Sequence, residues 1–183
     1  MEELEMVLLE AEEKMDKAIA SYERELSTVR TGRANAALLD SISIEYYGVQ
    51  TPLKQVAAIT IPEANQLYIK PYDKSVCKDV EKAILASSLG LTPQNDGAGI
   101  RLILPQMTEE RRRELTKQVG KMEEQAKVAI RNIRRDVNDD VKKLDLPEDD
   151  EKSALEDIQK LTDKKIVIIG ELTEKKNKDL MSI

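Results

Sequence analysis

The chain has no histidine, no tryptophan and no phenylalanine, and a single cysteine, Cys77. Without histidine there is no imidazole general base, and with one thiol there is no Cys–His nucleophile pair and no thiolate or imidazole zinc site. One cysteine closes no intramolecular disulfide, which fits a reducing compartment. Cys77 itself reads as a half-buried structural thiol early in a helix. Five tyrosines are the whole aromatic content. The core is therefore built from Leu, Ile, Val, Ala and Met, and the scarcity of aromatics argues against nucleic-acid binding through stacked aromatic platforms. Recognition of a folded RNA backbone by arginines stays open. No apolar run approaches the roughly 20 residues that cross a bilayer. The N-terminus, MEELEMVLLEAEE, is acidic, unlike a secretory or transit signal. These features predict a cytoplasmic protein, or a mature organellar one whose presequence has been removed.

What the chain does have is charge in the wrong place. Its 183 residues carry 29 Lys and Arg against 35 Asp and Glu, a net charge of −6. Yet Arg111 to Arg135 holds nine basic residues and three acids. A local basic surface on an acidic protein implies a local polyanionic partner. The same stretch carries an apolar seam. Leu115, Val119, Met122, Ala126, Ile130, Ile133, Val137 and Val141 fall within roughly 100° of arc on a helix. Arg112, Arg113, Lys117, Lys127, Arg131, Arg134 and Arg135 occupy an adjoining arc of roughly 140°. Glu109, Glu123 and Glu124 share that arc, so a solvated face laced with pairs such as Glu123–Lys127 is the competing reading. The acid-free stretch from Lys127 to Arg135 favours RNA or another phosphate polymer.

Three long amphipathic helices are predicted. The first spans about Leu4 to Arg30, with Leu4, Leu8, Ala11, Met15, Ile19, Tyr22, Leu26 and Val29 on one face. The second follows Pro105, with Thr108 as N-cap, and runs to about Leu144. The third starts after Pro147 and runs from about Asp149 to Met181, with Leu155, Ile158, Leu161, Ile166, Ile169 and Leu172 as its seam. Gly170 inside it lowers helix stability by about 1 kcal/mol relative to alanine. Three stripes make a three-helix bundle. The middle of the chain differs. Ile42–Tyr47, Val56–Ile61, Gln66–Lys70 and Ile100–Leu104 read as strands, and Thr51–Lys54 as extended. Asp73 caps a short helix that Gly90 ends, and Asn95-Asp96-Gly97 is a turn. The predicted division is residues 1–31 with 105–183 as the bundle and 32–104 as an inserted α/β domain. A glycine in Thr31-Gly32 and a proline in Leu104-Pro105 mark the two crossings as a hinge.

Six stretches carry a resemblance: RTGRANAALLD (Arg30–Asp40), EYYGVQTPLKQVA (Glu45–Ala57), PYDKS (Pro71–Ser75), the EKAI…SSLGLTPQNDG…IR series (Glu81–Arg101), LPQMTEERRREL (Leu104–Leu115) and AKVAIRNIRRD (Ala126–Asp136). With these in order, the chain resembles the bacterial ribosome recycling factor family. The resemblance implies an L-shaped, two-domain α+β molecule, a long three-helix bundle with a small hinged α/β domain. It implies a monomeric translation factor, not an enzyme, with no cofactor and no membrane. Such a factor binds the post-termination ribosome, mainly ribosomal RNA of the large subunit. With elongation factor G and GTP it splits the subunits and frees messenger RNA and deacylated transfer RNA. Arg112, Arg131 and Arg134 match positions expected on ribosomal RNA, and Arg30 and Arg33 match others beside Gly32. Lys127 and Arg135 complete the set, with pairing to acids of a neighbouring helix as their alternative. Two departures stand out: a connection between the second and third helices that looks short, and Gly170. Two other function classes compete. A helical adaptor for unfolded proteins fits the long helices but not the basic stripe. An enzyme would have to use Asp96-Gly97-Ala98-Gly99 with Arg101 and Asp73, yet a lone G-x-G that does not lead from a strand into a helix is a poor phosphate loop.

Overall fold

The computed structural model describes residues 1–181. The chain forms two compact units. Among the described residues one takes Met1–Arg30 and residues 109–181; the other is Thr31–Thr108.

The first unit is a bundle of α1 (Glu2–Ser27), α4 (Glu109–Lys143) and α5 (Glu148–Met181). Each helix opens on acids: Glu2, Glu3 and Glu5; Glu109 and Glu110; Glu148 to Glu151. Lys142 and Lys143 close α4. Both ends thus complement the helix dipole. The seams of α1 and α4 are those the periodicity predicts. Ala11, Met15, Tyr22 and Leu26 are buried on α1, and Leu115, Val119, Ala126, Ile130, Val137 and Val141 on α4.

The seam of α5 is the predicted one in part: Ile158 and Ile169 are buried, and Leu155 and Leu161 pack against the core from its edge. Leu155, Leu161, Ile166 and Leu172 are only half-buried. The buried row is Ala154, Ile158, Thr162, Lys165, Ile169, Thr173 and Leu180. The polar members hide their polarity locally. Thr162 donates to the Ile158 carbonyl at 2.8 Å and Thr173 to that of Ile169 at 2.9 Å. Its one proton placed, the Thr173 hydroxyl accepts from the Tyr22 hydroxyl. Lys165 lays its stem in the core and reaches Asp16 at 2.5 Å and Glu12 at 3.7 Å. Burial is the main reason the Tyr22 phenol sits above its ordinary pKa.

In the second unit, β1 (Ser43–Tyr46) and β2 (Val49–Pro52) form a hairpin closed by Tyr47 and Gly48, both at positive φ. A helical turn, α2 (Leu53–Val56), follows where the extended reading of Thr51–Lys54 had none. Leu53 and Val56 are spaced to turn inward together, and both are buried. Next come β3 (Ala57–Thr60), β4 (Gln66–Pro71), α3 (Cys77–Ala86), β5 (Pro93–Asn95) and β6 (Ile100–Ile103). The sheet is antiparallel in the order β3-β4-β6-β5. Asp73 does cap, accepting from the Ser75 amide at 2.9 Å, but on a 3₁₀ turn, Lys74–Val76, that leads into α3. The helix ends at Ala86, before Gly90. β5, which the sequence hides behind Pro93, completes the sheet. Cys77 is buried on α3, and burial pushes its thiol pKa up, the inert state expected of it.

Two glycines differ in a way that can be measured. A Cβ on Gly99 would lie 2.6 Å from the Tyr68 hydroxyl and 2.7 Å from the Ile69 carbonyl. Gly120, inside α4, has nothing within 4 Å of a Cβ. Gly99→Ala should therefore destabilise by about 1–3 kcal/mol through overpacking. Gly120→Ala should stabilise by about 1 kcal/mol through helix propensity. Urea unfolding of the two variants gives both signs; equal effects would contradict the geometry.

Candidate nucleic-acid interface on the bundle

The long helix α4 supplies the candidate site. Its cationic row from Arg112 to Arg135 runs roughly 35 Å at 1.5 Å per residue. Residues bordering the seam are drawn into the packing, and those further round stand in solvent. Arg112, Lys127 and Arg134 are half-buried; Arg113, Lys117 and Arg135 are exposed.

The acids on this face are used as partners. Arg113 pairs with Glu109 at 2.7 Å, Arg111 with Glu114 at 3.0 Å and Arg131 with Glu124 at 3.3 Å. The side chains of the Arg113–Glu109 pair are 73% and 74% exposed. Exposed pairs of this kind contribute about 0.2–1 kcal/mol each, so a phosphate can displace the carboxylate. Lys127 differs. It meets Glu123 at 2.7 Å with side chains only 24% and 21% exposed, so it is held in the bundle surface. Among the described residues, Arg112, Lys117, Lys121 and Arg135 have no carboxylate partner.

Arg134 is the member whose environment the sequence did not reveal. It is half-buried against α5 and donates from Nη1 to Gln159 Oε1 at 2.9 Å. Gln159 in turn donates from Nε2 to Asp163 Oδ1 at 2.9 Å. The Arg134 Nε is buried without a hydrogen-bond partner. The contact with α5 escapes a reading of α4 alone, because nothing in the spacing of α4 tells which residue of another helix faces it.

The crossings are distinct from this face. Arg30 and Arg33 are exposed; Arg30 belongs to the bundle unit and Arg33 to the other. Gly32 is buried at φ 72°, and a Cβ there would sit 3.5 Å from Met107 Cγ. Thr31 is half-buried and Pro105 exposed. Leu104 is anchored: its side chain is in the core of the second unit and its amide donates to the Asn65 carbonyl at 2.8 Å.

The Asp96–Gly99 segment joins β5 to β6, and its amides are taken up within the turn: Gly97 donates to Asn95 Oδ1, Asp96 to the Gly99 carbonyl, and two others to the Asp96 carboxylate. Asp96 Oδ1 accepts from Gly99 at 2.8 Å and Ala98 at 3.0 Å, which holds the carboxyl below its usual range. Amides so occupied are not free to cradle a phosphate. Arg101 donates to Gln66 at 2.9 Å, and Asp73 is occupied by Ser75. The described residues contain no cluster arranged to hold a metal ion and no helix long and apolar enough to cross a membrane.

With that geometry in place, three comparisons bear on it. The family model of the ribosome recycling factor matches residues 22–181. The chain is 59% identical to the ribosome-recycling factor of Acholeplasma laidlawii over 182 residues, covering 100% of this chain and 99% of the relative. It is 55% identical to that of Bacillus subtilis over 181 residues, covering 97% and 98%. The connection that looked short therefore does not make the chain short beside these relatives. Among solved structures it is similar to a solution structure of the ribosome recycling factor, with a TM-score of 0.83, 44% identity and 100% of both chains covered. It is also similar to a chain in models of the T. thermophilus ribosome recycling factor and the E. coli elongation factor G bound to the E. coli post-termination complex. There the TM-score is 0.66 and the identity 41%, over 97% of this chain and 98% of that one.

The two kinds of cation on this face should separate in stability measurements. Lys127→Ala strands the partly buried Glu123 carboxylate and should lower stability by about 1 kcal/mol. Arg135→Ala should change it by less than about 0.5 kcal/mol. Thermal unfolding of both checks this, and a larger loss for Arg135 would mean that Arg135, not Lys127, is part of the bundle's packing.

Proposed function

The chain belongs to the ribosome recycling factor family, and on that premise we propose that it clears ribosomes after termination. In this reading it binds the post-termination ribosome, mainly large-subunit ribosomal RNA. Together with elongation factor G and GTP it separates the subunits and releases messenger RNA and deacylated transfer RNA. Elongation factor G hydrolyses the nucleotide; this chain makes and breaks no bond. It acts as a monomer in the compartment that holds the ribosomes.

The cationic face of α4 on a protein of net charge −6 carries the RNA part of the proposal. Guanidinium groups meet phosphate oxygens two at a time, which accounts for arginine at Arg112, Arg131, Arg134 and Arg135. Arg30 and Arg33 add to the set near the crossings. Lys127 is better explained as half of a partly buried pair with Glu123. The partnership with elongation factor G is supported by the similar chain in the post-termination assembly. A hinge at Thr31, Gly32 and Pro105 would let the second unit move under that partner, with the anchored Leu104 travelling with it.

The deciding experiment is light scattering of post-termination ribosomes mixed with this protein, elongation factor G and GTP. A fall in scattering that needs all three components supports recycling. No fall, with binding to large subunits intact, removes the splitting step from the proposal and leaves an RNA-binding relative. Salt gives a second check. If about five phosphates are neutralised, affinity for large subunits should fall roughly 500-fold between 50 and 200 mM salt. A flat response would mean that apolar or protein contacts dominate.

A further inference from the structure

The Arg134 contact with α5 has a chemical peculiarity. Arg111, Arg113, Lys127 and Arg131 each pair with a carboxylate of their own helix. Arg134 instead reaches another helix and takes a neutral amide, Gln159 Oε1, at 2.9 Å. We propose that Gln159 is a positioning residue: it fixes the Arg134 guanidinium in place while leaving its charge undiminished for a phosphate. The inference rests on the reading of Arg134 as an RNA contact.

Three observations support it. First, the orientation of the amide is determined by its other partner. An ionised carboxylate only accepts, so Gln159 must turn Nε2 toward Asp163 Oδ1, 2.9 Å away. That turn leaves Oε1, the acceptor, facing Arg134. Asp163 thus sets which way Gln159 points and sits one residue removed from the guanidinium. Second, the arrangement is not the one that best satisfies Arg134. The Nε–H is buried with no acceptor. A glutamate at position 159 has the same length and could grip the guanidinium with both oxygens. That glutamate would, however, lose the hydrogen bond to Asp163 and face its carboxylate, so the neutral amide is the group that serves both neighbours, donating to Asp163 and accepting from Arg134. Third, a carboxylate there would compete with an incoming phosphate for the same donors, as a neutral amide does not. Arg134 is also half-buried, so it has few rotamers with which to escape such a pair.

The test is a double-mutant cycle on binding to isolated bacterial large ribosomal subunits, with thermal unfolding measured alongside. Gln159→Met keeps the length and removes both hydrogen bonds without adding charge. It should weaken subunit binding about tenfold, the size of one charge-assisted hydrogen bond. In an Arg134→Ala background the same substitution should have no further effect. Gln159→Glu should also weaken binding, because its carboxylate competes with phosphate for the Arg134 guanidinium. A purely structural Gln159 would show the opposite pattern: a lowered melting temperature for Gln159→Met and native binding for Gln159→Glu. If Arg134→Ala weakens binding but Gln159→Met binds as the native protein does, the positioning role is wrong and the RNA contact stands. If Arg134→Ala itself binds natively, the RNA contact falls and the positioning role falls with it.

Discussion

The structure depends on one helix serving two purposes around a single circumference. α4 must present its apolar row to both α1 and α5, and it must also present arginines outward. A helix places neighbouring residues about 100° apart, so seam and cationic row cannot be chosen independently. Cations at the border of the seam are pressed into the packing, while those half a turn away stand in water. Arg112, Lys127 and Arg134 are of the first kind, Arg113, Lys117 and Arg135 of the second. The chemistry of the face follows. Border residues are ordered by the bundle before any partner arrives, so less side-chain entropy would be lost in the proposed RNA contact.

A bundle without Phe or Trp must fill its interior by other means. Here it uses small and branched residues and a few disguised polar ones. Thr162 and Thr173 turn their hydroxyls back onto the carbonyl four residues earlier, and Lys165 passes through the core to acids of α1. This is why hydrophobic spacing gives the seam of α5 only in part. It finds Ile158 and Ile169, which are buried, with Leu155, Leu161, Ile166 and Leu172 half-buried beside them, whereas two threonines and a lysine also belong to the buried row. Their polarity is satisfied locally or at the end of a long stem, and spacing alone gives no sign of it. In the second unit the same difficulty hid α2 and β5. Leu53 and Val56 fit a helical turn as well as an extended run, and a three-residue strand that begins with Pro93 lacks any alternation to recognise.

The seams of α1 and α4 were legible because their apolar residues repeat over many turns. The cationic row was legible for the same reason. Its electrostatics were not. Whether a cation is neutralised depends on which rotamer reaches which neighbour, and for Arg134 the neighbour lies on another helix. Family resemblance placed Arg134 in the site without Gln159, because resemblance was carried only along matching motifs and those end at Asp136. The missing element was a pair of residues distant in sequence, Arg134 and Gln159, whose relation exists only once α4 and α5 are packed.

If α4 meets RNA as proposed, the acidity of the rest of the chain becomes part of recognition. Glu2, Glu3 and Glu5 open α1, and four acids open α5. A polyanion approaching these surfaces is repelled, while the cationic face attracts it. At physiological ionic strength the Debye length is about 8 Å, so a row roughly 35 Å long is sensed along its length only by a partner already aligned with it. Opposed charge at the acidic helix starts and along the cationic row would therefore select orientation as much as supply affinity. The same logic explains the exposed pairs within the face. Arg113 with Glu109 and Arg131 with Glu124 mute the row in the free protein, which limits adhesion to arbitrary polyanions. On the proposed RNA contact they would yield to a phosphate in place of the carboxylate, because an exposed pair is worth little against a well-seated phosphate. Arg134, whose partner carries no charge, would need no such exchange.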